Sequence, residues 1–592
     1  MESNNNVMHA TPKNMNLAVK TRGFASLVEA LDYAASGETG FNFYNHRGEL
    51  STVLSYRDLR SEARSLARKL LGLGLKKGDR VGIVAETDPM FHRFFFACQY
   101  AGLIPVALPA NVQLGAHKVF VNQVRRMLES CNASILVVPV THEAFIEDIA
   151  EGLDLKLFGT PDEFDTLNEL DVEFEPAAAE DIAYLQYTSG STRFPRGVEI
   201  NQATVLDNLR EIAENGLKLT REDRFVSWLP YYHDMGLIGF ILVPLICQLS
   251  ADYLGSRTFA MRPRLWLKLI SDNRGTISSS PTFGYALCAR RLRPSDFEKY
   301  DLSSWRAACV GAEQINAEPL QQFAEALAPC NFDPRSIVAC YGMAECVLAV
   351  SFAPLDLGLG LDHVDKDLMM EHGTAVPADT DGERTVQYAD CGILLPGFGL
   401  RIVDDEGADV PERQCGQILL KGPSVMSGYF QDPEASSAVL DEDGWLNTGD
   451  IGYRVGDRLF LTARSKDVII IKGRNIWPND MEVVAQRIEG ARLGGVAAFS
   501  VTGLEEEETA VLVLESKERD EVVRAELAQQ ITELMHEHFG INVMIDLVKT
   551  GSLPRTSSGK LSRYKSKLAF LERQQHRDVH FLPRKGSERK IA

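Results

Sequence analysis

Helix-like and strand-like stretches alternate along the first 400 or so residues of this 592-residue chain. In "LSYRDLRSEARSLARKLLGLGLKKGDRVGI", apolar residues recur every three or four positions from Tyr56 to Leu70, which predicts an amphipathic helix ending near Gly72 to Gly74. The following "RVGIVAE" predicts a buried strand. The same alternation returns in "FFFACQYAGLIPVALP" and "MLESCNASILVVPV". It favours an α/β fold with a largely parallel sheet and helices on both faces.

The chain is too long for one hydrophobic core, since such cores stop growing at about 250 to 300 residues. From Arg401 onward the pattern changes to short strands separated by Gly, Asp and Pro turns, which predicts a smaller, more antiparallel, β-rich lobe. A further boundary falls near "LTARSKDVIIIKG", and a compact α+β pattern follows it.

Composition excludes several classes of protein. The net charge of −20 argues against nucleic-acid binding. The longest apolar run, Gly236 to Cys247, falls short of the roughly 20 residues of a transmembrane helix. The N-terminus lacks the pattern of a secretory signal, so we expect a cytoplasmic protein. Ten cysteines without a CxxC pair are expected to be buried, reduced thiols.

Residues 549–592 differ in charge from the rest, with twelve Lys or Arg against three Asp or Glu. This basic stretch is either a solvated tail or a docking site for an acidic partner, and the sequence leaves both open.

The stretch "YTSGSTRFPRGVEI" combines what a polyphosphate needs: a glycine that lets the backbone approach, hydroxyl donors and cations. It lacks the Gly-Lys-Ser/Thr ending of a Walker A loop, which disfavours a P-loop NTPase. A Ser/Thr-rich surface loop is the alternative. The candidate ligands are Thr188, Ser189, Gly190, Ser191, Thr192, Arg193 and Arg196.

Four further motifs follow in order: "YGMAE" (341–345), "WLNTGD" (445–450), "ARSKD" (463–467) and "LPRTSSGK" (553–560). With the hydroxyl-rich loop, this series resembles the adenylate-forming superfamily of acyl-CoA synthetases, luciferases and peptide-synthetase adenylation domains. The resemblance covers about residues 25 to 570. It implies ATP and Mg²⁺ as cofactors and a large adenylation domain with a small C-terminal lid.

The resemblance also implies residue roles. Tyr341 would face adenine, Asp450 and Arg464 would hold the ribose, and Glu345 with Thr188 would hold Mg²⁺, a cation that prefers oxygen ligands. Further nucleotide contacts are implied for Gly311, Ala312, Glu313, Gly342, Met343 and Ala344. Taken singly, these residues could equally be a core tyrosine, a solvated glutamate or a turn aspartate.

Lys560 is the predicted catalytic residue. Attack of a carboxylate on the α-phosphate brings two anions together, and a positioned ammonium can neutralise the charge that develops. The preceding "RTSSG" predicts an ordered turn that aims the side chain, whereas the alternative is one more lysine of a basic tail.

The stretch "WLPYYHDMGLIG" (228–239) is similar to the signature of fatty acyl-AMP ligases, which pass the acyl group to an acyl carrier protein. On this resemblance His233 would reach the α-phosphate or the acyl carboxylate, and Met235, Gly236 and Ile238 would line the acyl tunnel. A histidine satisfied within the core is the alternative.

Spacing adds a clue, because 46 residues separate Glu345 from Gly392 and long loops are usually functional or disordered. Residues 353–376 resemble the insertion of the acyl-AMP ligases. The apolar content of this stretch predicts that it packs on a surface. It would restrain a swing of the C-terminal domain about Lys466, the hinge residue that the resemblance implies, and so disfavour coenzyme A.

The predicted organisation is a flexible N-terminus (1–22), an adenylation domain (23–462), a hinge (463–467), a lid domain (468–571) and a basic tail (572–592). Three positions depart from the family pattern. Arg193 and Arg196 replace a glycine and a lysine of the phosphate loop, and Ala463 replaces the hinge glycine.

The predicted reaction joins a medium- or long-chain fatty acid to AMP and then transfers the acyl group to a holo acyl carrier protein. Because carrier proteins are typically acidic, Arg563, Lys565 and Lys567 are predicted to dock one. The alternatives are a long-chain acyl-CoA synthetase and a non-catalytic scaffold that binds an acyl-adenylate or a carrier protein.

Overall fold

The computed structural model describes residues 9–110, 117–188, 195–380, 382, 384–471, 474–488, 490–492, 494–502, 508–556 and 560–575. The strands of this part, β1 to β25 in chain order, are Gly40–Tyr44, Leu50–Ser55, Arg80–Val84, Ile104–Leu108, Ala133–Val137, Leu157–Gly159, Ile182–Tyr187, Gly197–Asn201, Phe225–Ser227, Ala251–Leu254, Ile277–Ser280, Ala307–Val310, Ile337–Gly342, Ala349–Phe352, Leu361–Asp365, Thr385–Leu394, Gly399–Val403, Gly416–Lys421, Leu446–Val455, Arg458–Arg464, Ile469–Ile471, Arg474–Ile476, Val496–Thr502, Glu508–Ser516 and Val543–Lys549. Its α-helices, α1 to α18, are Leu27–Ala34, Tyr56–Gly72, Pro89–Ala101, His117–Ser130, Ile146–Ala150, Pro161–Asp165, Gln202–Glu211, Asp234–Leu237, Val243–Ile246, Ser256–Met261, Arg264–Asn273, Thr282–Arg291, Ala317–Leu327, Lys366–His372, Pro433–Ser437, Pro478–Ala485, Glu521–Phe539 and Arg563–Gln575.

Helix α2 shows how local sequence specifies an element. Its apolar residues are buried along one face, and the Ser55 hydroxyl accepts a hydrogen bond from the Asp58 backbone N–H at the first turn. The helix ends at Gly72, as the spacing predicts.

Two large sheets form the body of the protein. The first has the order β6-β5-β3-β4-β7-β8, and neighbouring strands pair in parallel except that the edge strand β8 runs antiparallel to β7. The second runs β17-β18-β19-β20-β16-β14-β13-β12-β11-β9-β10-β1-β2, with β15 paired to β16. These sheets confirm the predicted α/β class.

The β-rich region after Arg401 is antiparallel, as predicted, but its sheet is continuous with the parallel one. Antiparallel strands β14 and β16 join the two halves through the pairs Ser351 with Leu394 and Phe352 with Ile393. Strand pairing of this kind depends on residues far apart in sequence, so the pattern of short strands alone predicted a separate lobe.

The C-terminal residues form a third, smaller body. Strands β23, β24 and β25 make one sheet, and β21 pairs with β22. Helices α16 and α17 pack in its hydrophobic core, to which Met370 also belongs. The final helix α18 continues to Gln575, so the predicted boundary between lid and tail at residue 571 falls inside a helix.

The insertion 353–376 contains β15 and α14 and packs as its apolar content predicts. Met369 lies in a cluster with Trp477, while Met370 contacts the C-terminal core. The Lys366 ammonium lies 4.0 Å from the centre of the Phe539 ring. The insertion therefore joins the large body to the C-terminal residues.

The N-terminal prediction needs correction, because residues 9–22 pack against the body. Thr11 is buried, its backbone N–H donates to Asn42 Oδ1 at 2.8 Å, and its carbonyl accepts from Arg224 at 2.7 Å. Arg224 also pairs with buried Asp252 at 2.6 Å. The sequence predicted a flexible segment, but the buried ion pair of Arg224 and Asp252 binds the Thr11 carbonyl and so holds it in place.

Among the described residues, the structure contains no helix that is both long enough and apolar enough to cross a membrane.

Candidate active site

A cavity of about 270 Å³ opens where the parallel strands β7, β11, β12 and β13 end. Ligands of open α/β sheets bind at such carboxyl ends. The predicted residues that line it are Thr188, Arg196, His233, Met235, Gly311, Ala312, Tyr341, Gly342, Met343, Ala344, Glu345, Arg464, Lys466 and Lys560. The structure thus brings together side chains from motifs up to 370 or so positions apart.

A second cavity, of about 360 Å³, shares a wall with the first and extends between the large body and the C-terminal residues. Glu313, Asp450 and Arg563 line this second cavity. Tyr341, Arg464 and Lys560 line both. The predicted nucleotide residues are therefore spread over two connected spaces.

The predicted ribose residues form one hydrogen-bonded group. Asp450 and Arg464 face each other across β19 and β20, and Arg464 Nε lies 3.2 Å from Asp450 Oδ1. The Tyr341 hydroxyl donates to Asp450 Oδ2 at 2.8 Å. The Asp450 charge raises the pKa of the Arg464 guanidinium, and burial raises the pKa of the Tyr341 hydroxyl. Tyr341 therefore also orients the Asp450 carboxylate.

Backbone geometry explains two small residues at this wall. A Cβ on Gly342 would lie 1.7 Å from the Leu348 carbonyl oxygen, so the strand pairing there requires glycine. Ala312 has a φ of +68°, which is uncommon for a residue with a side chain. These positions keep the backbone close to the cavity. The predicted hinge residue Ala463, in contrast, lies within β20 opposite Ile451.

Glu345 lies in a short turn at the cavity wall, where the Tyr429 hydroxyl donates to its Oε1 at 2.9 Å. Burial raises the pKa of this carboxyl group. Tyr429 also lies under the Arg196 guanidinium, 5.2 Å from ring centre to Cζ, and Arg196 Nε lies 3.5 Å from Asp432. Sequence reasoning missed Tyr429, which carries no motif of its own within "SGYF".

Lys560 enters the cavity from the C-terminal residues. Its backbone N–H donates to Thr556 Oγ1 at 3.2 Å, and its carbonyl accepts from the Thr556 N–H at 2.7 Å. Its Nζ lies 3.3 Å from His233 Nε2. Burial lowers the pKa of the ammonium, whereas Asp234 and Glu313 oppose this shift. The predicted catalytic lysine thus lies next to the predicted catalytic histidine, whereas Ser557, Ser558 and Gly559 of the predicted turn lie outside the described residues.

The deeper part of the cavity is apolar, and its lining corrects two predictions. Gly236 and Ile238 are absent from the lining, whereas Gly239 and Phe240 belong to it. A Cβ on Gly236 would lie 2.1 Å from the Pro230 carbonyl oxygen, so this glycine serves backbone packing. The chain adopts a π-helical turn over Ile238–Leu242, which shifts the side chains relative to α-helical spacing.

Other apolar residues that line the cavity are Ile212, Leu217, Phe225, Ile277, Leu348 and Phe352. They come from four stretches of the chain, 212–217, 225, 277 and 348–352, and Ile212 begins a second π-helical turn, Ile212–Gly216. The space beyond His233 can therefore hold an aliphatic chain.

The predicted docking residue Arg563 is occupied by structural contacts. Its guanidinium donates twice to Glu482 at 2.7 Å and once to Asp467 at 3.0 Å. Burial opposes its charge, but Glu482 and Asp467 raise the pKa of the guanidinium. Lys565 is exposed and Lys567 is partly buried. The excess of basic residues in this stretch did not reveal that Arg563 pairs with Glu482 and Asp467, which lie 81 and 96 positions earlier in the chain.

Ser189, Gly190, Ser191, Thr192 and Arg193 of the predicted phosphate loop lie outside the described residues, as do 1–8 and 576–592 of the two predicted termini. At the borders of the loop, the Thr188 backbone N–H donates to the Arg196 carbonyl at 3.0 Å.

Comparison with known proteins agrees with this geometry. Residues 41–430 match the family of the AMP-binding enzymes. A protein of Caulobacter vibrioides named "Putative acyl-CoA synthetase" is 44% identical over 95% of this chain and 98% of its own length. The "Medium-chain-fatty-acid--[acyl-carrier-protein] ligase JamA" of Moorena producens is 27% identical over 93% and 95%.

A solved structure from "Structural and Functional Studies of Fatty Acyl-Adenylate Ligases from E. coli and L. pneumophila" has a TM-score of 0.89 and 42% identity. The match covers 94% of this chain and all of that one. With the ordered motifs and their convergence on one cavity, these similarities show that the chain belongs to the fatty acyl-AMP ligases of the adenylate-forming superfamily, which are ligases that form acyl-adenylates.

Proposed function

We propose that the protein activates a medium- or long-chain fatty acid with ATP and then transfers the acyl group to the phosphopantetheine thiol of an acyl carrier protein. The observation that carries the first step is the 3.3 Å contact between Lys560 Nζ and His233 Nε2, two residues that line the same cavity.

In the first step a fatty-acid carboxylate oxygen attacks the α-phosphorus of ATP. The bond from that phosphorus to the bridging oxygen breaks, and pyrophosphate leaves with the electron pair. Lys560 would attract the carboxylate and neutralise charge on the transferring phosphoryl group. The apolar side chains beyond His233 would hold the alkyl chain away from water.

The residues at the wall fit a magnesium ion shared with substrate phosphates. Mg²⁺ is usually bound by one or two carboxylates together with phosphates and water. Within the described ranges no group of three or more His, Cys, Asp or Glu could hold a metal alone. Glu345, oriented by Tyr429, and Thr188 are the proposed protein ligands. A bound ion would neutralise phosphate charge there.

In the second step the carrier-protein thiol sulfur attacks the acyl carbonyl carbon, the bond from that carbon to the phosphate oxygen breaks, AMP leaves with the electron pair, and the thiol proton is released to solvent. The insertion supports a carrier protein over coenzyme A. Its contacts through Met369, Met370 and Lys366 restrain the C-terminal residues, and we propose that residues 463–467, with Lys466, form the hinge that this restraint limits. JamA, whose name gives a carrier protein as acceptor, is similar over nearly the whole chain.

Long-chain acyl-CoA synthetase activity is the second candidate, and the name of the Caulobacter relative favours it. The test incubates the enzyme with ATP, Mg²⁺ and radiolabelled fatty acid, adding either coenzyme A or holo carrier protein. We expect labelled carrier protein and little acyl-CoA. Ready formation of acyl-CoA would contradict the choice of acceptor, and absence of fatty-acid-dependent pyrophosphate release would favour a non-catalytic scaffold.

Docking of the acidic carrier protein is proposed at Lys565 and Lys567, without Arg563. Reversing both charges to Glu should weaken carrier-protein acylation several-fold at low salt and leave pyrophosphate release unchanged. The matched control is Lys517→Glu, an exposed lysine elsewhere in the C-terminal residues. Unchanged acylation at low salt would contradict the docking site.

A further inference from the structure

Asp234 lies beside the two residues that meet in the cavity, and no motif argument assigned it a role. It begins helix α8, and its Oδ1 lies 2.5 Å from His233 Nδ1. The opposite ring nitrogen of His233, Nε2, lies 3.3 Å from Lys560 Nζ. The three side chains therefore form a line from a carboxylate through an imidazole to an ammonium.

The hydrogen-bond partners define which nitrogen of His233 carries the proton. An ionised carboxylate can only accept, so the short contact with Asp234 requires a proton on Nδ1. The Met235 backbone N–H points at two acceptors, the same carboxylate oxygen at 2.7 Å and His233 Nδ1 at 3.2 Å. Because the shorter bond to the carboxylate satisfies this donor, it does not require a lone pair on Nδ1. With Nδ1 protonated, Nε2 of the neutral ring accepts from the Lys560 ammonium.

We infer that Asp234 is a positioning residue, which fixes the His233 ring so that Nε2 accepts a hydrogen bond from Lys560 and holds its ammonium where carboxylate and α-phosphate meet. The inference rests on the proposed adenylation reaction. Such an arrangement costs no reorganisation when charge develops, because the donor and acceptor are already in place.

The surrounding charges give Asp234 a second effect. Asp234 and Glu313 are the acids that favour the charged form of Lys560, against burial and the Arg464 guanidinium. His233 and Lys560 in turn lower the pKa of Asp234 against the effect of its burial. The Asp234 charge also acts to raise the pKa of two further titratable groups, the Glu345 carboxyl and the Tyr184 hydroxyl. Loss of the Asp234 charge should therefore lower the pKa of Lys560 further.

The kinetic test measures fatty-acid-dependent pyrophosphate release between pH 6 and 10 for the wild type and Asp234→Asn. We expect kcat to fall about 10- to 100-fold, as when a group that orients a catalytic imidazole is replaced. The alkaline limb of the profile should move to lower pH by about one unit, with the KM for ATP little changed.

The matched control is Asp296→Asn, which makes the same exchange at a buried carboxylate that is paired with Arg264 outside both cavities. It should lower thermal stability but leave the alkaline limb in place. If Asp234→Asn and Asp296→Asn gave the same kcat and the same limb, the positioning role would be excluded.

A spectroscopic measurement separates this inference from the proposed function. The side-chain ¹⁵N shifts of His233, assigned with a His233→Gln variant, should show a protonated Nδ1 at pH 8 in the wild type and lose that preference in Asp234→Asn. A wild-type ring protonated at Nε2 would overturn the inference. Absence of pyrophosphate release would instead count against the proposed function, since the ring state can be read without turnover.

Discussion

The C-terminal residues meet the rest of the protein in two places of different character. At the cavity, Lys560 reaches His233 through a polar contact that water could replace. At the insertion, Met370 is buried among apolar side chains of the C-terminal core, and Lys366 lies against Phe539. Burying a methionine side chain is worth about 1.5 to 3 kcal/mol. The comparison teaches that the catalytic contact can break while the insertion still tethers the C-terminal residues.

The largest expected effect comes from removing the cavity contact. Lys560→Ala should lower kcat for fatty-acid-dependent pyrophosphate release about 10²- to 10³-fold, as loss of one preorganised charge donor does. Thermal stability should stay equal or rise, because burial disfavours the ammonium. Lys517→Ala is the control. A variant that kept its activity would show that Lys560 is not the catalytic lysine.

The opposite result is expected at the insertion. Met370→Asp places a carboxylate in the C-terminal core and should destabilise it by about 3 kcal/mol, measured as a lower first transition in calorimetry. Acyl-CoA formation should rise several-fold, while pyrophosphate release changes little. Leu368→Asp, on the exposed side of the same helix, is the control. If both variants left acyl-CoA formation unchanged, the insertion would not select the acceptor.

Substitution of Arg563 tests whether the ion pairs of this residue stabilise the segment that carries Lys560. Arg563→Met leaves the Glu482 carboxylate buried without this partner, which should cost about 3 kcal/mol. The first calorimetric transition should fall, whereas Lys565→Met should leave it unchanged. If Arg563→Met and Lys565→Met had the same first transition temperature, the ion pairs of Arg563 would not contribute to stability.

The smallest expected effect is a pH dependence of the insertion contact. Burial raises the pKa of Asp480 to about 7 and lowers the pKa of Lys366 to about 8. A raised carboxyl pKa stabilises the native state at low pH, and this contribution is lost as pH rises from about 4 to 7. The lowered lysine pKa acts oppositely, with stability gained as pH rises from 8 toward the ordinary lysine value.

Melting temperatures at pH 5, 6 and 7 check this effect. Between pH 5 and 7 the melting temperature of the wild type should fall by about 2 °C more than that of Asp480→Asn, because the variant lacks this carboxyl group. An identical pH dependence in the variant and the wild type would contradict the assignment.

Local patterns predicted the parts of the site that local sequence determines. The "YGMAE" and "LPRTSSGK" motifs each contribute a residue that lines the cavity, Glu345 and Lys560, and Thr556 Oγ1 accepts a hydrogen bond from the Lys560 backbone N–H. Helix α2 and the α/β class were predicted from the spacing of apolar residues, which is also a local property of the sequence.

The features that the sequence did not reveal depend on distant partners or on unusual backbone. Arg563 is paired with acids far earlier in the chain, and Thr11 is held by Arg224. Ile238 is not among the residues that line the cavity, and it lies in a π-helical turn that changes the spacing of side chains. None of these contacts leaves a pattern in the residues nearby.

The position of Met370 has a consequence for protein engineering. Because the hydrophobic core of residues 469–543 includes this methionine from an earlier segment, the unit that could be exchanged between related enzymes is discontinuous in sequence. A chimaera that takes a foreign C-terminal part while keeping its own residues 361–372 would join mismatched surfaces. The graft should carry both segments together.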